Sequence, residues 1–206
     1  MKSTEAKSVS RTKRSRIGIY SGTFDPVHAG HVAFALQAAE VAQLEAVYFV
    51  PERVPRAKRQ ATHFAHRVAM VRRAVRPYPH LKVLELADKT FSVAHTLPRL
   101  QHEFPGAELV FLCGSDVLQH MAKWAYVKQF LRSVELCVGR RENESADSIK
   151  KILSKIPSSH AEVIVFESHA PAVSSSHIRA ALREKRGAKG LLASVKVYAN
   201  QEWLYL

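Results

Sequence analysis

The sequence predicts an α/β protein with a doubly wound, mostly parallel sheet and helices on both faces. Its candidate strands are short, continuous apolar runs such as 46–50, Ala-Val-Tyr-Phe-Val. Strands that are covered on both faces show such runs instead of a polar and apolar alternation. The runs alternate along the chain with segments of helical periodicity, as βαβ units do. Right-handed crossovers between the strands are therefore expected.

The first half of the chain predicts three strands and three helices in alternation. Apolar runs place the strands at 17–20, 46–50 and 81–84, and the periodicity places the helices at 29–43, 61–76 and about 92–103. Breakers and caps set the boundaries, because Pro77 stops the second helix and Ser92 or Thr90 is expected to cap the third. Pro105 and Gly106 close that third helix.

In the second half of the chain, the sequence predicts a similar alternation of strands and helices, interrupted by one stretch without an assigned element. Strands are expected at 108–113, 134–138 and 162–166, and helices at 146–156, 176–186 and 194–203. No element is assigned between Asp116 and Val134. The length of 206 residues favours one domain, which we expect over 16–206. A disordered basic leader is expected over 1–15.

Charge and composition narrow the class of protein. The chain has 206 residues and a net charge of +13, and six basic residues stand against one glutamate in the first sixteen positions. A basic body suits polyanionic small molecules such as ATP, and no specific nucleic acid is expected. The leader lacks an apolar segment and no run approaches the length of a membrane helix, which predicts a cytoplasmic protein. Cys113 and Cys137 lie in apolar runs and are expected to be buried, reduced thiols.

The segment 21–31, Ser-Gly-Thr-Phe-Asp-Pro-Val-His-Ala-Gly-His, carries the clearest functional signal. It joins the first strand to the first helix, where ligands bind in open α/β sheets. His28 and His31 are three residues apart, so both imidazoles share one face of the helix. The Thr23 hydroxyl and the backbone N–H groups of Gly22, Thr23 and Phe24 lie near the same helix start. Together with the two histidines, they predict a site for a phosphate chain.

The same segment predicts its own backbone geometry. Pro26 suits the first turn of the helix, and Asp25 or Thr23 is expected to cap it. Gly22 lets the backbone approach a ligand, and Gly30 keeps bulk away from the space between the histidines.

A second phosphate site is predicted after the last strand, in the run Ser174-Ser175-Ser176-His177-Ile178-Arg179. Serines before a helical run mark a helix N-terminus, and a guanidinium on the first turn adds a bidentate anion partner. Because both segments follow strands of one sheet, Ser175, Ser176 and Arg179 are expected to converge with His28 and His31 on one triphosphate.

These two motifs resemble the signatures of the nucleotidyltransferase superfamily with the T/H-x-G-H motif, in the forms GTFDPxHxGH and SSSxIR. The chain most resembles its bacterial-type nicotinate (or nicotinamide) mononucleotide adenylyltransferases, over nearly the whole folded part. Further matches are the loop at Phe49-Val50-Pro51 and Pro55-Arg56-Ala57-Lys58, the helix start His66-Arg67-Val68-Ala69-Met70, the turn Gly114-Ser115-Asp116, Trp124, and the strand end Val138-Gly139-Arg140-Arg141.

The resemblance implies a Rossmann-like fold and the transfer of AMP from ATP to nicotinate mononucleotide, which gives nicotinate adenine dinucleotide and pyrophosphate in NAD biosynthesis. It implies catalytic roles for His28, His31 and Arg179. The implied ATP-binding residues are Gly22, Thr23, Phe24, His28, His31, Asp116, Ser175, Ser176 and Arg179. The implied mononucleotide-binding residues are Lys58, Ser92, Trp124 and Arg140. Mg²⁺ is expected to arrive with ATP, and no resident metal site is predicted, because no third zinc ligand accompanies the two histidines.

Some positions depart from the family pattern and keep alternatives open. Ser21 replaces the more usual Gly, Ala57 stands where the family often has His, and 90–97 only loosely resembles its SYTxxTL segment. The alternatives are the same reaction on nicotinamide mononucleotide, adenylyl transfer to phosphopantetheine, and CMP transfer to an alcohol phosphate. A basic RNA-associated protein that has lost the chemistry is a further alternative. The sequence leaves the oligomeric state open.

Overall fold

The computed structural model describes residues 14–55, 60–141, 144–155 and 162–206. Its strands form one parallel sheet in the order β3-β2-β1-β4-β5-β6. Their bounds are β1 Arg16–Gly22, β2 Ala46–Pro51, β3 Leu81–Val83, β4 Glu108–Gly114, β5 Glu135–Arg140 and β6 Val163–Glu167. The predicted fold class is confirmed, because this is the strand order of doubly wound, dinucleotide-binding sheets.

Helices follow the strands and cover both faces of the sheet. Their bounds are α1 Ala29–Val41, α2 Phe64–Val75, α3 Val93–Glu103, α4 Ser115–Met121, α5 Val127–Ser133, α6 Ala146–Leu153, α7 Ser175–Arg183 and α8 Ala193–Gln201. Two of them, α4 and α5, fall in the stretch where the sequence predicted no element. Each has only seven residues, too few for a periodic apolar pattern to be read.

Two hydrophobic cores lie on opposite faces of the sheet. Along β1, Ile17 and Ile19 belong to the core that also contains residues of α3, α4, α5 and α6. Along β4, Val110 and Leu112 belong to the other core, with residues of α1, α2 and α8. Because successive side chains of a strand point to opposite faces, continuous apolar runs fill both cores.

The strand order reverses between β1 and β4, which lie side by side. Gly22 pairs with Pro51, and Gly114 pairs with Gly139, so these residues mark the carboxyl edge of the sheet. In open α/β sheets, ligands bind outside this edge at the point of reversal. The candidate site is therefore expected there.

Further predictions concern the cysteines, membrane-spanning helices and two basic segments. Cys113 and Cys137 are buried free thiols, as predicted, and burial raises the pKa of Cys137 to about 12. Within the described ranges, no helix is long and apolar enough to cross a membrane. Residues 1–13 of the predicted leader, and Lys58 in the basic loop, lie outside the described residues.

Candidate active site

The loop between β1 and α1, residues 23–28, has an unusual backbone. The Asp25–Pro26 peptide bond is cis, and Phe24 has a φ of 51°, in the left-handed region. Pro26 does not lie on the first turn of α1, which begins at Ala29, and this prediction was wrong. The loop ends at His28, the residue that immediately precedes the helix.

His28 is the N-cap of α1, so the prediction of Asp25 or Thr23 as the cap was also wrong. The His31 ring, one turn along, accepts a hydrogen bond through Nδ1 from the His28 backbone N–H at 3.2 Å. An imidazole replaces the Glu or Gln that usually reaches back in this way. Since Nδ1 of His31 accepts, its proton lies on Nε2, which is then a donor.

The two histidines share one face, as their spacing predicted. Their rings are stacked, with centroids 3.7 Å apart and an interplanar angle of 27°. Phe24 packs edge-on against His31, with centroids 5.1 Å apart, and its side chain is buried. The Phe24 ring therefore packs around His31 and does not present a surface to a ligand.

The start of the loop is held through its carbonyl groups. The Gly22 carbonyl accepts from the Glu52 backbone N–H at 3.0 Å, and the Thr23 carbonyl accepts from Nη1 of Arg67 at 2.7 Å. A trans peptide is planar, so the N–H of the following residue points away from a fixed carbonyl. The bound carbonyls thus direct the next N–H groups, including that of Phe24, away from Glu52 and Arg67.

The end of the loop is held by α7, the helix of the second predicted motif. The Ser175 hydroxyl donates to the Pro26 carbonyl at 2.9 Å. Nη1 of Arg179 donates to the Asp25 carbonyl at 2.7 Å, and Nη2 donates to Oγ of Ser176 at 3.3 Å. The two motifs, almost 150 residues apart in sequence, are therefore in direct contact.

Ser174, not Ser175 or Ser176, caps α7, because its hydroxyl accepts from the His177 N–H at 3.2 Å. The Ser175 side chain and one arm of Arg179 are engaged by the loop. Arg179 keeps further N–H groups for an anion, since a guanidinium carries five.

His28 is 5% exposed, and burial lowers its pKa to about 4 from the ordinary value of 6.5. Its Nδ1 is buried without a hydrogen-bond partner among the described residues. The ring is therefore neutral at pH 7 in the absence of ligand. A phosphate placed beside it would stabilise the cation and raise this pKa.

This pKa predicts a pH-dependent stability. The unfolded state binds the His28 proton below about pH 6.5 and the folded state only near pH 4, so stability is present above 6.5 and lost as the pH falls. The difference between these two pKa values corresponds to a loss of about 3 kcal/mol in the free energy of unfolding. Urea unfolding of the wild type and of His28→Asn, at pH 7 and pH 4.5, should show a smaller loss in the variant. Equal losses would contradict the neutral, buried state of His28.

Gly30 lies between the His28 ring and the segment before α7. A Cβ at Gly30 would lie 2.9 Å from the Pro171 carbonyl oxygen and 3.1 Å from Nδ1 and Cε1 of His28. Gly30 was predicted to keep bulk away from the space between the histidines, but the space that it keeps clear lies between His28 and the Pro171 carbonyl.

Gly30→Ala is expected to lower kcat/KM by displacing the His28 ring, and to destabilise the fold by about 1–3 kcal/mol through overpacking. Thermal unfolding and steady-state kinetics would measure both effects. Gly187→Ala is the matched control, because a Cβ there meets no atom within 4 Å and the glycine has no positive φ. If the two variants behaved alike, the packing argument would be wrong.

Asp25 is a buried carboxylate whose two oxygens both have partners. Oδ2 accepts from the Thr62 backbone N–H at 3.2 Å, and Oδ1 accepts from the Tyr205 hydroxyl at 2.7 Å. Burial raises the pKa of Tyr205, and the Asp25 carboxylate adds to the shift. No local pattern in the sequence points to this contact, because Tyr205 lies 180 residues from Asp25.

The end of β4 carries Asp116, which is exposed on the first turn of α4. Its neighbour Ser115 is buried and donates to Oε1 of Glu144 at 2.7 Å. The Glu144 carboxylate also accepts from the Arg141 N–H, and these hydrogen bonds help lower its pKa despite the opposing effect of desolvation. Asp116 thus lies beside the site with its carboxylate accessible to a hydroxyl.

The predicted mononucleotide-binding residues have different surroundings. Trp124 is half-buried, with its ring 5.9 Å from Phe91 and 5.6 Å from Phe130 between centroids. Ser92 caps α3, with its hydroxyl accepting from the His95 N–H at 3.4 Å. The ring of Trp124 and the start of α3 therefore lie close together.

Arg140, at the end of β5, is already paired. Its Nη2 forms an ion pair with Glu167, its register partner on β6, and its Nη1 donates to the Glu144 carbonyl at 2.7 Å. Its charge is partly neutralised before any ligand binds. The sequence prediction did not include this partner.

A small cavity opens beside the loop, between the ends of β1 and β2 and the segment before α3. It is lined by Ser21, Val50, Pro51, Glu52, Leu86, Asp88, Thr90, Phe91 and Thr96. Oγ of Ser21 and Oδ2 of Asp88 are buried without partners among the described residues. Neither Ser21 nor Asp88 was among the predicted site residues.

Comparison with known proteins finds relatives over most of the chain. A family model described as Cytidylyltransferase-like matches residues 19–181. The nicotinate-nucleotide adenylyltransferase of Bacillus subtilis is 30% identical over 200 residues, which cover 92% of this chain and 98% of that protein. A protein of Carboxydothermus hydrogenoformans named "Probable nicotinate-nucleotide adenylyltransferase" is 31% identical over 176 residues, covering 83% and 88%.

A solved structure shares the fold. The nicotinic acid mononucleotide adenylyltransferase of Plasmodium falciparum, complexed with NaAD, superposes with a TM-score of 0.77 at 19% identity, covering 93% of this chain and 98% of that one.

Proposed function

The chain belongs to the cytidylyltransferase-like family, and from this membership and its named relatives we propose that it is a nicotinate-nucleotide adenylyltransferase. It transfers AMP from ATP to nicotinate mononucleotide and thereby makes nicotinate adenine dinucleotide for NAD biosynthesis. The observation that carries the proposal is the direct contact between the 22–31 segment and α7 at the reversal point of the sheet.

The reaction requires no covalent intermediate with the enzyme. A phosphate oxygen of the mononucleotide attacks the α-phosphorus of ATP, a new P–O bond forms, and the bond from that phosphorus to the bridging β oxygen breaks. Pyrophosphate leaves with the bonding electrons. Because both reactants are anionic, the protein contributes positioning and stabilisation of negative charge.

The histidines and the loop are assigned to the reacting phosphates. His28 faces the α-phosphate and stabilises the charge that develops on it, and His31 donates from Nε2 to the phosphate chain on the adenosine side. The backbone N–H groups of Gly22, Thr23 and Phe24 are assigned to phosphate oxygens.

The start of α7 is assigned to the leaving pyrophosphate. Ser176 and Arg179 would hold the β- and γ-phosphates, with the guanidinium supplying the positive charge. Ser175, whose hydroxyl proton is engaged by the Pro26 carbonyl, is assigned to the same phosphates through its backbone N–H. Since Arg179 also holds the Asp25 carbonyl, binding of the leaving group is coupled to the loop that holds the α-phosphate.

The remaining assignments concern the nucleosides. Asp116 would accept hydrogen bonds from ribose hydroxyls of ATP. Trp124 would stack on the pyridine ring, and the α3 start with Ser92 would line its substituent. Lys58 would contact phosphate oxygens. Arg140 is assigned to the mononucleotide, and its pairing with Glu167 means that only its remaining N–H groups serve this role.

Mg²⁺ would enter the site as part of the ATP substrate. Within the described ranges, no three His, Cys, Asp or Glu side chains gather into a group that could hold a metal ion. Asp25, the carboxylate in the loop, has both oxygens in hydrogen bonds within the protein. This arrangement fits an ion held mostly by substrate phosphates and water.

We also propose that the protein is located in the cytoplasm and does not act at a membrane.

The proposed function is tested by product identification. The protein is incubated with Mg²⁺–ATP and nicotinate mononucleotide, and nicotinate adenine dinucleotide is quantified by chromatography and mass spectrometry. We expect one dinucleotide and one pyrophosphate for each ATP consumed. ATP consumption without dinucleotide would show hydrolysis instead of adenylyl transfer.

A further inference from the structure

Arg67, on the first turn of α2, is the largest fully buried side chain in the described part of the chain, at 1% exposure. Its neighbours along the helix, Val68, Met70 and Val71, are buried apolar residues. A buried cation is costly unless hydrogen bonds compensate for lost water. The hydrogen bonds of Arg67 should therefore show what compensates for its burial.

The guanidinium binds backbone carbonyls from three separate segments. Nη1 donates to Thr23 at 2.7 Å, and Nε donates to Thr62 at 2.8 Å. Nη2 donates to both Glu52 at 2.7 Å and Arg53 at 3.1 Å. One planar group thus joins the loop after β1, the loop after β2 and the segment that leads into α2.

The contact with Thr23 bears on the proposed site. The Thr23 carbonyl and the Phe24 N–H belong to one planar peptide and point in opposite directions. Phe24 has a left-handed φ of 51°, which a bulky residue keeps only where the surroundings enforce it. Its ring is buried in the core, and the contact of the Thr23 carbonyl with Arg67 restrains the other end of this peptide.

We propose that Arg67 is a positioning residue for adenylyl transfer: by fixing the Thr23 carbonyl, it aims the Phe24 N–H at the reacting phosphates of the bound nucleotide. This inference rests on the proposed function for the identity of those phosphates. Arg67 touches no substrate itself and acts through the backbone of the loop.

The geometry requires a guanidinium and not merely a positive charge. The carbonyl contacts use Nε and both terminal nitrogens, whereas a lysine ammonium is a single point with three donors on a flexible chain. Burial lowers the pKa of Arg67, and the Asp25 carboxylate opposes that shift. Lysine at this position would keep a charge but could not hold all three segments.

The test compares Arg67→Lys and Arg67→Ala with Arg72→Ala as the matched control. Arg72 lies on the same helix, but its side chain is 62% exposed and pairs with Glu85 at the surface. Initial rates are measured at 10 °C for variants shown to be folded by circular dichroism, and ATP affinity is measured by calorimetry. We expect kcat to fall about a hundredfold in both Arg67 variants, as for a misplaced catalytic group, with a smaller rise in the KM for ATP. Arg72→Ala should match the wild type.

Chemical rescue separates positioning from general support of the fold. Ethylguanidinium should restore kcat of Arg67→Ala at least fivefold, whereas ethylammonium at the same concentration should not. A kcat within threefold of the wild type in folded Arg67→Lys would overturn the proposal, as would a loss that follows only the unfolded fraction.

The assay also distinguishes this proposal from the proposed function. Absence of turnover by the wild type would contradict the proposed function. The positioning role of Arg67 would then be tested by the affinity of Arg67→Lys for ATP. Unchanged ATP affinity in Arg67→Lys would in that case overturn the positioning role, and weakened affinity would support it.

Discussion

His28→Ala is expected to lower kcat by about a hundredfold to a thousandfold, the range seen when a transition-state hydrogen-bond donor is removed. The ring lies at the start of α1, stacked on His31 and desolvated by burial. In such surroundings its interaction with a developing phosphate charge is strong, because little water competes. ATP affinity should change much less, since Arg179, Ser176 and the loop N–H groups remain.

Pyrophosphate release under saturating substrates measures this effect. His102→Ala is the matched control, because His102 is an exposed histidine on the last turn of α3. A kcat for His28→Ala within tenfold of the wild type would show that His28 does not act on the reacting phosphorus.

Arg179→Ala is expected to raise the KM for ATP about tenfold to a hundredfold. A charge-assisted hydrogen bond contributes about 1.5–3 kcal/mol, and each 1.4 kcal/mol corresponds to a tenfold change. The substitution also releases the Asp25 carbonyl, so a smaller fall in kcat should accompany the loss of affinity. Arg179→Lys should recover part of the affinity, because the charge remains while the fork is lost.

Arg183→Ala is the control for net charge, because it removes an exposed arginine one turn further along α7. Equal effects of Arg179→Ala and Arg183→Ala would mean that α7 attracts ATP only by its overall charge. A normal KM in Arg179→Ala would remove the guanidinium from the triphosphate site.

The sequence predicted the sheet well because its strands are signalled locally. Apolar runs between helices are enough to locate β1 and β4, and the two phosphate-type motifs follow strands of the same sheet. By contrast, α4 and α5 are single short helices separated by Tyr126 in a left-handed conformation, and no local pattern marks them.

The contacts that shape the site were not predictable in the same way. Arg67 stood out in the sequence only as part of a motif, whereas its partners Thr23, Glu52 and Thr62 are brought to it by the fold. The N-cap of α1 was missed because His28 is not one of the usual capping residues, and the reciprocal contact comes from the His31 ring, which accepts from the His28 N–H. The partner of Arg140 depends on the register of β5 with β6, which composition does not specify.

The central claim is adenylyl transfer to nicotinate mononucleotide, and competing acceptors test it most directly. Pyrophosphate release is measured with Mg²⁺–ATP and either nicotinate or nicotinamide mononucleotide, each over a range of concentrations. We predict a kcat/KM about a hundredfold higher for the acid, which corresponds to about 2.7 kcal/mol of transition-state discrimination. A preference for the amide, or no turnover with either mononucleotide, would contradict the assignment.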